Sequence, residues 1–200
     1  MKRKELRIEI NEITRIFLSA KYYELDFNYF HSIKFNFPSV LNAYYFLFNR
    51  IFHSISVALI LDLCKLFDSR EKFSLNKLRN KMLENYSKSE LNESFSKTDF
   101  ENLFKTIDSK EIEQILKKLK TTRDEYYAHF DRSRTDFNKI TINSKETGKL
   151  IQIAEYILKT IELKFFNVSV DYKMTTGELG HNIFQRLDEW ERYRNKYGLL

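Results

Sequence analysis

The chain has 200 residues, a formal charge of +6, 42% hydrophobic and 16% aromatic residues, but only four Gly and one Pro. That size and apolar content support an unaided core, which excludes a disordered segment and a disulfide-stapled mini-protein. The scarcity of turn formers argues against a many-stranded sheet and for long helices in a single all-α domain spanning 1–200.

The predicted elements run as follows. Leu6, Ile10, Ile13, Phe17 and Ala20 repeat at alternating steps of four and three, so a long first helix is expected from about Lys2 to His31. Met1-Lys2-Arg3-Lys4 leads into no unbroken apolar run, so no secretory leader is expected. Pro38 disfavours a helical Phe37, and Ser39 is the expected N-cap of the next helix. Val40 to Phe67 is the most apolar stretch and long enough to span a membrane, but Arg50, Asp62 and Lys65 interrupt it. It reads instead as a central helix surrounded by others, and no membrane partner is expected. Asn42, Asn49, His53 and Ser56 share one of its faces, with buried hydrogen bonding the plainer reading and a cavity, seam or cleft the alternative.

Asp68 to Phe73 reads as a connection, and Ser74 caps a short helix to about Tyr86. Residues 87–106 read as a loop with a helical turn near Phe100 to Phe104. Asp108 with Glu111 forms a capping-box pattern, and Ile112, Ile115, Leu116, Leu119, Tyr126 and Phe130 form the core side of the helix it opens. Asp131 to Asn143 is polar and irregular. Ser144 opens a helix to about Asn167, with Leu150, Ala154, Ile157 and Ile161 as its stripe, and Val168 to Met174 is a candidate extended segment. Thr175 with Glu178 opens the last helix, to about Tyr197, with Leu179, Ile183, Leu187, Trp190 and Tyr197 on one side.

Chemistry concentrates in one place. Arg123-Asp124-Glu125-Tyr126-Tyr127-Ala128-His129 puts a permanent cation, acids, tyrosines and a histidine within seven residues, just after Lys117, Lys118 and Lys120. Taken without any resemblance, the plainer reading is a solvated basic helix end, where His⁺ is favourable. Glu125 and His129, four apart, form at most a weak surface pair. Elsewhere, Glu178-Leu-Gly-His181 matches one half of a di-iron pattern, but no second Glu-x-x-His occurs. Walker, dinucleotide-binding and Gly-x-Ser-x-Gly motifs are missing from the sequence. The single Cys64 forms no disulfide within the chain and has no CxxC partner; it reads as a small buried hydrophobe in a reducing, cytoplasmic setting. Net positive charge permits an anionic partner, although the Lys-, Asn-, Ile-rich composition is also that of AT-rich coding sequence.

Leu119 to Asp131 resembles the Arg-x(4–6)-His motif of the HEPN superfamily, including the polar residue after the arginine, here Asp124. The Ala128-His129-Phe130-Asp131 ending resembles the abortive-infection, AbiU-type branch. A second likeness lies at Leu66-Phe67-Asp68 followed by Phe73-Ser74-Leu75, and together these span about 40–165, flanked by helices at 1–35 and 175–197. The resemblance implies an antiparallel helical bundle, here with a long N-terminal and an additional C-terminal helix, that forms a homodimer with two motifs facing one cleft. It implies a metal-independent endoribonuclease without cofactor, acting on RNA as a toxin or antiphage effector, with a nucleotidyltransferase-like antitoxin as a candidate partner. Some members carry a tyrosine two residues after the histidine as a modification site; Asp131 stands there in this chain.

Those residue types suit that chemistry. RNA carries its own nucleophile, the 2′-hydroxyl, so proton transfer and charge stabilisation suffice. His129 is the expected proton carrier, Arg123 the phosphate fork, and Asp124 the orienting acid. Lys117, Lys120 and Tyr127 are expected to bind substrate. Residues six apart differ by about 120° around an ideal helix, so either the helix frays near His129 or a second subunit completes the site. The competing reading is a non-catalytic HEPN module that binds RNA, a nucleotide or a partner protein; an antitoxin or structural subunit is a third.

Overall fold

The computed structural model describes residues 3–86, 96–124, 142–173 and 178–197. Among these residues the regular elements are eight helices: α1 (Arg3–Asn36), α2 (Pro38–Ala43), α3 (Tyr45–Phe67), α4 (Leu75–Glu84), α5 (Lys97–Phe104), α6 (Lys110–Thr121), α7 (Ser144–Phe166) and α8 (Glu178–Tyr197). The fold is all-α, as expected. Tyr126, Phe130 and the Thr175 cap lie outside the described residues, as do the side chains of Leu179, Ile183 and Tyr197.

The main core forms where α1 lies along α3 and α7, with α4, α5 and α6 closing it. Leu6, Ile10, Ile13, Phe17 and Ala20 are all buried, and so are Leu150, Ala154, Ile157 and Ile161 facing them from α7. Ile112, Ile115 and Leu119 bury the inner face of α6. Polar groups at this core are paired. Glu162 accepts both Arg7 Nη1 contacts, at 2.8 and 2.6 Å, and that guanidinium also lies over the Phe166 ring. Asp62, buried on α3, accepts from Ser19 Oγ at 2.6 Å and Lys65 Nζ at 2.8 Å. A second, smaller core gathers at the other end of α3, where Val40 and Phe48 are buried among Phe30, Tyr44 and Leu187. There α8 packs on α2.

Several local expectations are corrected. α1 continues five residues past His31 to Asn36, and the His31 ring lies parallel to that of Phe27 one turn earlier in the helix. Helix α2 starts at Pro38, whose fixed φ suits a first helical turn, after a Phe37 cap that makes no side-chain bond; Ser39 is therefore inside the helix. The anticipated continuous helix from Val40 is broken at Tyr44 (φ −117, ψ 29), whose ring turns edge-on to Phe48 in the smaller core. The helix that follows is not surrounded. Tyr45, Phe46 and Leu47 are exposed, Phe46 by 82%. Asn42, Asn49 and His53 face outward, not into a buried network, and Ser56 Oγ donates to Phe52 O of its own helix. By length and composition α3 is apolar enough to cross a membrane, and only 28% of its most apolar window is buried.

The caps shift by one residue at two helices. Ser109, not Asp108, caps α6 by accepting from the Ile112 amide, while Asp108 takes the Arg79 guanidinium. Asn143, not Ser144, caps α7 and forms a full capping box with Glu146. Ser74 caps α4 as expected. Ser96 caps α5, which is two turns of helix where a single turn was expected. Residues 168–173 are irregular, and Tyr172 fills a gap beside Phe17 with ring centroids 5.1 Å apart. Trp190 is half exposed on α8 and stacks on Tyr193.

Candidate functional site

The C-terminus of α3 and the C-terminus of α6 meet beside the main core, and an open pocket of about 310 Å³ lies between them. Its chemistry-bearing walls are Cys64, Asp68, Arg70, Asn76, Lys120 and Arg123. The α3 side is fixed by caps. Asp68 leaves the helix in extended geometry (φ −76, ψ 121), with its amide donating to Cys64 O. Asn76, from α4, donates through Nδ2 to Phe67 O at 2.6 Å and satisfies a helix-end carbonyl.

Asp68 organises this wall. Its Oδ1 accepts from the Arg70 amide and Arg70 Nε, both at 3.0 Å, and its Oδ2 accepts from Arg70 Nη2 at 2.6 Å. Arg123 Nη1 stands 3.6 Å from that same Oδ2, so one carboxylate faces two guanidinium groups. The bonds from Arg70 hold the Asp68 carboxyl far below the usual carboxylate range, and Arg123 adds to the effect.

The α6 side changes helix type. Past Thr121 the chain widens into a π-type turn at 122–124. Wider turns of this kind re-aim side chains and occur often at functional sites. Thr122 is buried and pins the turn at both sides: its Oγ1 donates to Lys118 O at 2.8 Å and accepts from the Ile142 amide at 3.1 Å. The anticipated regular helix changes to this wider turn at Thr122, and its expected continuation to Phe130 lies outside the described residues. The Arg123 side chain is mostly covered, at 20% exposure, and its Nε donates to Asp124 Oδ1 at 2.7 Å. That bond lowers the Asp124 pKa and raises that of Arg123.

Of the residues anticipated from sequence, Arg123, Asp124 and Lys120 come together here, with Arg123 and Lys120 lining the pocket. Lys117 is exposed on α6 and is not among the lining residues, and Lys118 is spent on Glu146 at 2.6 Å. Tyr127 and His129 lie outside the described residues. Cys64 is buried as anticipated, and burial pushes its thiol up to about 11, so it presents no thiolate near neutrality. Sequence reasoning gave Asp68 and Arg70 no role, although the Leu66-Phe67-Asp68 likeness marked their neighbourhood. A second pocket of about 410 Å³, between α5 and α7, contains none of the motif residues.

The all-α architecture is the one expected of a HEPN-type protein. Comparison with family models bears this out: the AbiU2 family of HEPN proteins matches residues 2–184, and the chain belongs to that family. The match is wider than the 40–165 of the motif resemblance and takes in α1 and the start of α8. Comparison with curated proteins and with solved structures returned no match.

Proposed function

We propose that the protein is a metal-independent endoribonuclease of the abortive-infection type, working as a homodimer whose two motifs share one cleft. The observation that carries the proposal is Arg123, held by carboxylates in the wall of an open pocket six residues before His129. A guanidinium clamped in this way is oriented before substrate arrives, so less of its conformational entropy is lost on binding.

In the proposed reaction His129 removes the proton of the RNA 2′-hydroxyl. The new bond joins O2′ to phosphorus, and the bond to O5′ breaks with a proton delivered to the leaving oxygen. The products are a 2′,3′-cyclic phosphate and a 5′-hydroxyl. Arg123 offsets the charge that grows on the phosphoryl oxygens. Asp124 fixes the Arg123 fork through Nε. A partner copy, in this reading, supplies the second imidazole, one acting as base and the other as acid. A nucleotidyltransferase-like protein is the class of antitoxin that fits this role.

The test is cleavage of single-stranded RNA in EDTA, with end-group analysis and sedimentation of the same preparation. Wild type is expected to sediment as a dimer and leave 2′,3′-cyclic ends. Arg123→Ala and His129→Ala are each expected to lose about 10²-fold or more in rate. Undiminished cleavage by both variants, or no cleavage by wild type, rejects the proposal. RNA affinity without cyclic ends leaves the non-catalytic binding module.

A further inference from the structure

We infer that Arg70 is a second phosphate-binding cation of the Arg123 pocket, aligned with Arg123 by Asp68; the substrate class, RNA, rests on the ribonuclease reading above.

The turn after α3 is already held at both ends, by Asn76 on Phe67 O and by the Ser74 cap of α4. The Arg70 side chain is 66% exposed, and exposed ion pairs add little to folding stability while costing side-chain entropy. Yet Arg70 is fixed by three side-chain contacts to Asp68 within 3.2 Å. A guanidinium so fixed and still solvent-facing is placed for a ligand.

Asp68 Oδ2 lies 2.6 Å from Arg70 Nη2 and 3.6 Å from Arg123 Nη1. Two like charges side by side repel unless an anion stands between them, and Asp68 is that anion here. Each guanidinium carries five N–H donors, so the bonds to Asp68 leave further donors to meet phosphate oxygens. Lys120 adds a third cation at the same pocket. The arrangement suits a polyanionic backbone, in which one phosphate sits on Arg123 and a neighbour on Arg70. Asp68 acts through the arginines and is a positioning residue.

The probe is a short fluorescein-labelled 2′-O-methyl oligoribonucleotide, whose blocked 2′ position prevents the proposed cleavage. Its binding to the full chain is followed by anisotropy across a salt series. Arg70→Ala is expected to bind about tenfold more weakly, with the slope of log affinity against log salt shallower by about one. Arg70→Lys is expected to restore the slope but only part of the affinity, because the charge returns without the fork. The control is Arg192→Ala on α8, which packs at the opposite end of α3, about 30 Å away by the rise of that helix. It is expected to bind as wild type does. Wild-type affinity and slope in Arg70→Ala overturn the inference, as does an equal loss in Arg192→Ala or a wild type that does not bind. Should Arg70→Ala not fold, Arg70→Lys decides: an affinity equal to wild type overturns the inference. Absence of RNA cleavage would end the ribonuclease reading without touching this measurement.

Discussion

The two ends of α3 are built from similar residues and put to opposite uses. Its C-terminal half carries Leu59, Leu63, Leu66 and Phe67 into the main core and ends on the carboxylate that organises the pocket. Its N-terminal half presents Tyr45, Phe46 and Leu47 to solvent and enters the smaller core through Phe48 and Ile51, with Phe52 stacked on Phe27 at the edge of the main core. Hydrophobicity is the same signal at both ends, and what differs is whether neighbours are present. α1, α6 and α7 all contact α3, and they supply the main core into which its C-terminal half packs, whereas α2 and α8 make a thinner layer over the other end. The pocket lies where the helix is best braced, as a site needing sub-ångström placement requires.

The largest effect expected from this difference is on stability. Leu63 is fully buried, so Leu63→Ala should cost about 2–5 kcal/mol, the range for truncating a core leucine. Phe46→Ala removes a larger side chain from the exposed end and should change stability by about 0.5 kcal/mol or less. Urea unfolding of the two variants checks the pair. Equal losses would mean that the two halves of α3 are braced alike and would break the comparison.

A smaller effect sharpens the pocket end. Asp68 has a folded pKa depressed by Arg70, so its contribution to stability is fully present above the ordinary carboxylate pKa of about 3.9 and fades as pH falls through the folded value. The stability gap between wild type and Asp68→Asn should therefore be constant from about pH 5 to 8 and close at strongly acidic pH. Asp124 is depressed in the same direction. Neither carboxylate titrates near neutrality, so neither accounts for an inflection of the proposed cleavage rate between about pH 6 and 8. Thermal unfolding and rate profiles of Asp68→Asn test both statements. A stability gap that changes between pH 6 and 8 would contradict the ion-pair geometry.

Much of the scaffold was legible because it is periodic. The stripes of α1 and α7 repeat every three or four residues, and burial follows them residue by residue. The caps were only approximately legible: Asp108 and Ser109 both carry a capping oxygen, and it is Ser109 that caps while Asp108 pairs with Arg79, a residue 29 positions away. The exposure of Tyr45 to Leu47 was not legible at all, since an apolar run looks alike whether neighbours arrive or not. Within the candidate site, Arg123 and Asp124 stand next to each other in sequence, so a local pattern could single them out. The role of Asp68 depends on a contact across 55 positions between two helix ends, for which no local pattern exists.

The smallest expected effect asks most of the exposed end. Phe46 is the most exposed large hydrophobic residue described, at 82%, so Phe46→Ser should leave the stability of an isolated chain within about 0.5 kcal/mol of wild type. Anything that binds the folded chain but not the unfolded one adds stability that depends on its concentration. The informative measurement is therefore unfolding of wild type and Phe46→Ser at several protein concentrations. If the two curves stay together at every concentration, the N-terminal half of α3 is solvent-facing in solution and the proposed dimer must be built on another face. If the gap between them widens with concentration, a second copy covers that end, and the apparent difference between the halves of α3 belongs to the single chain alone.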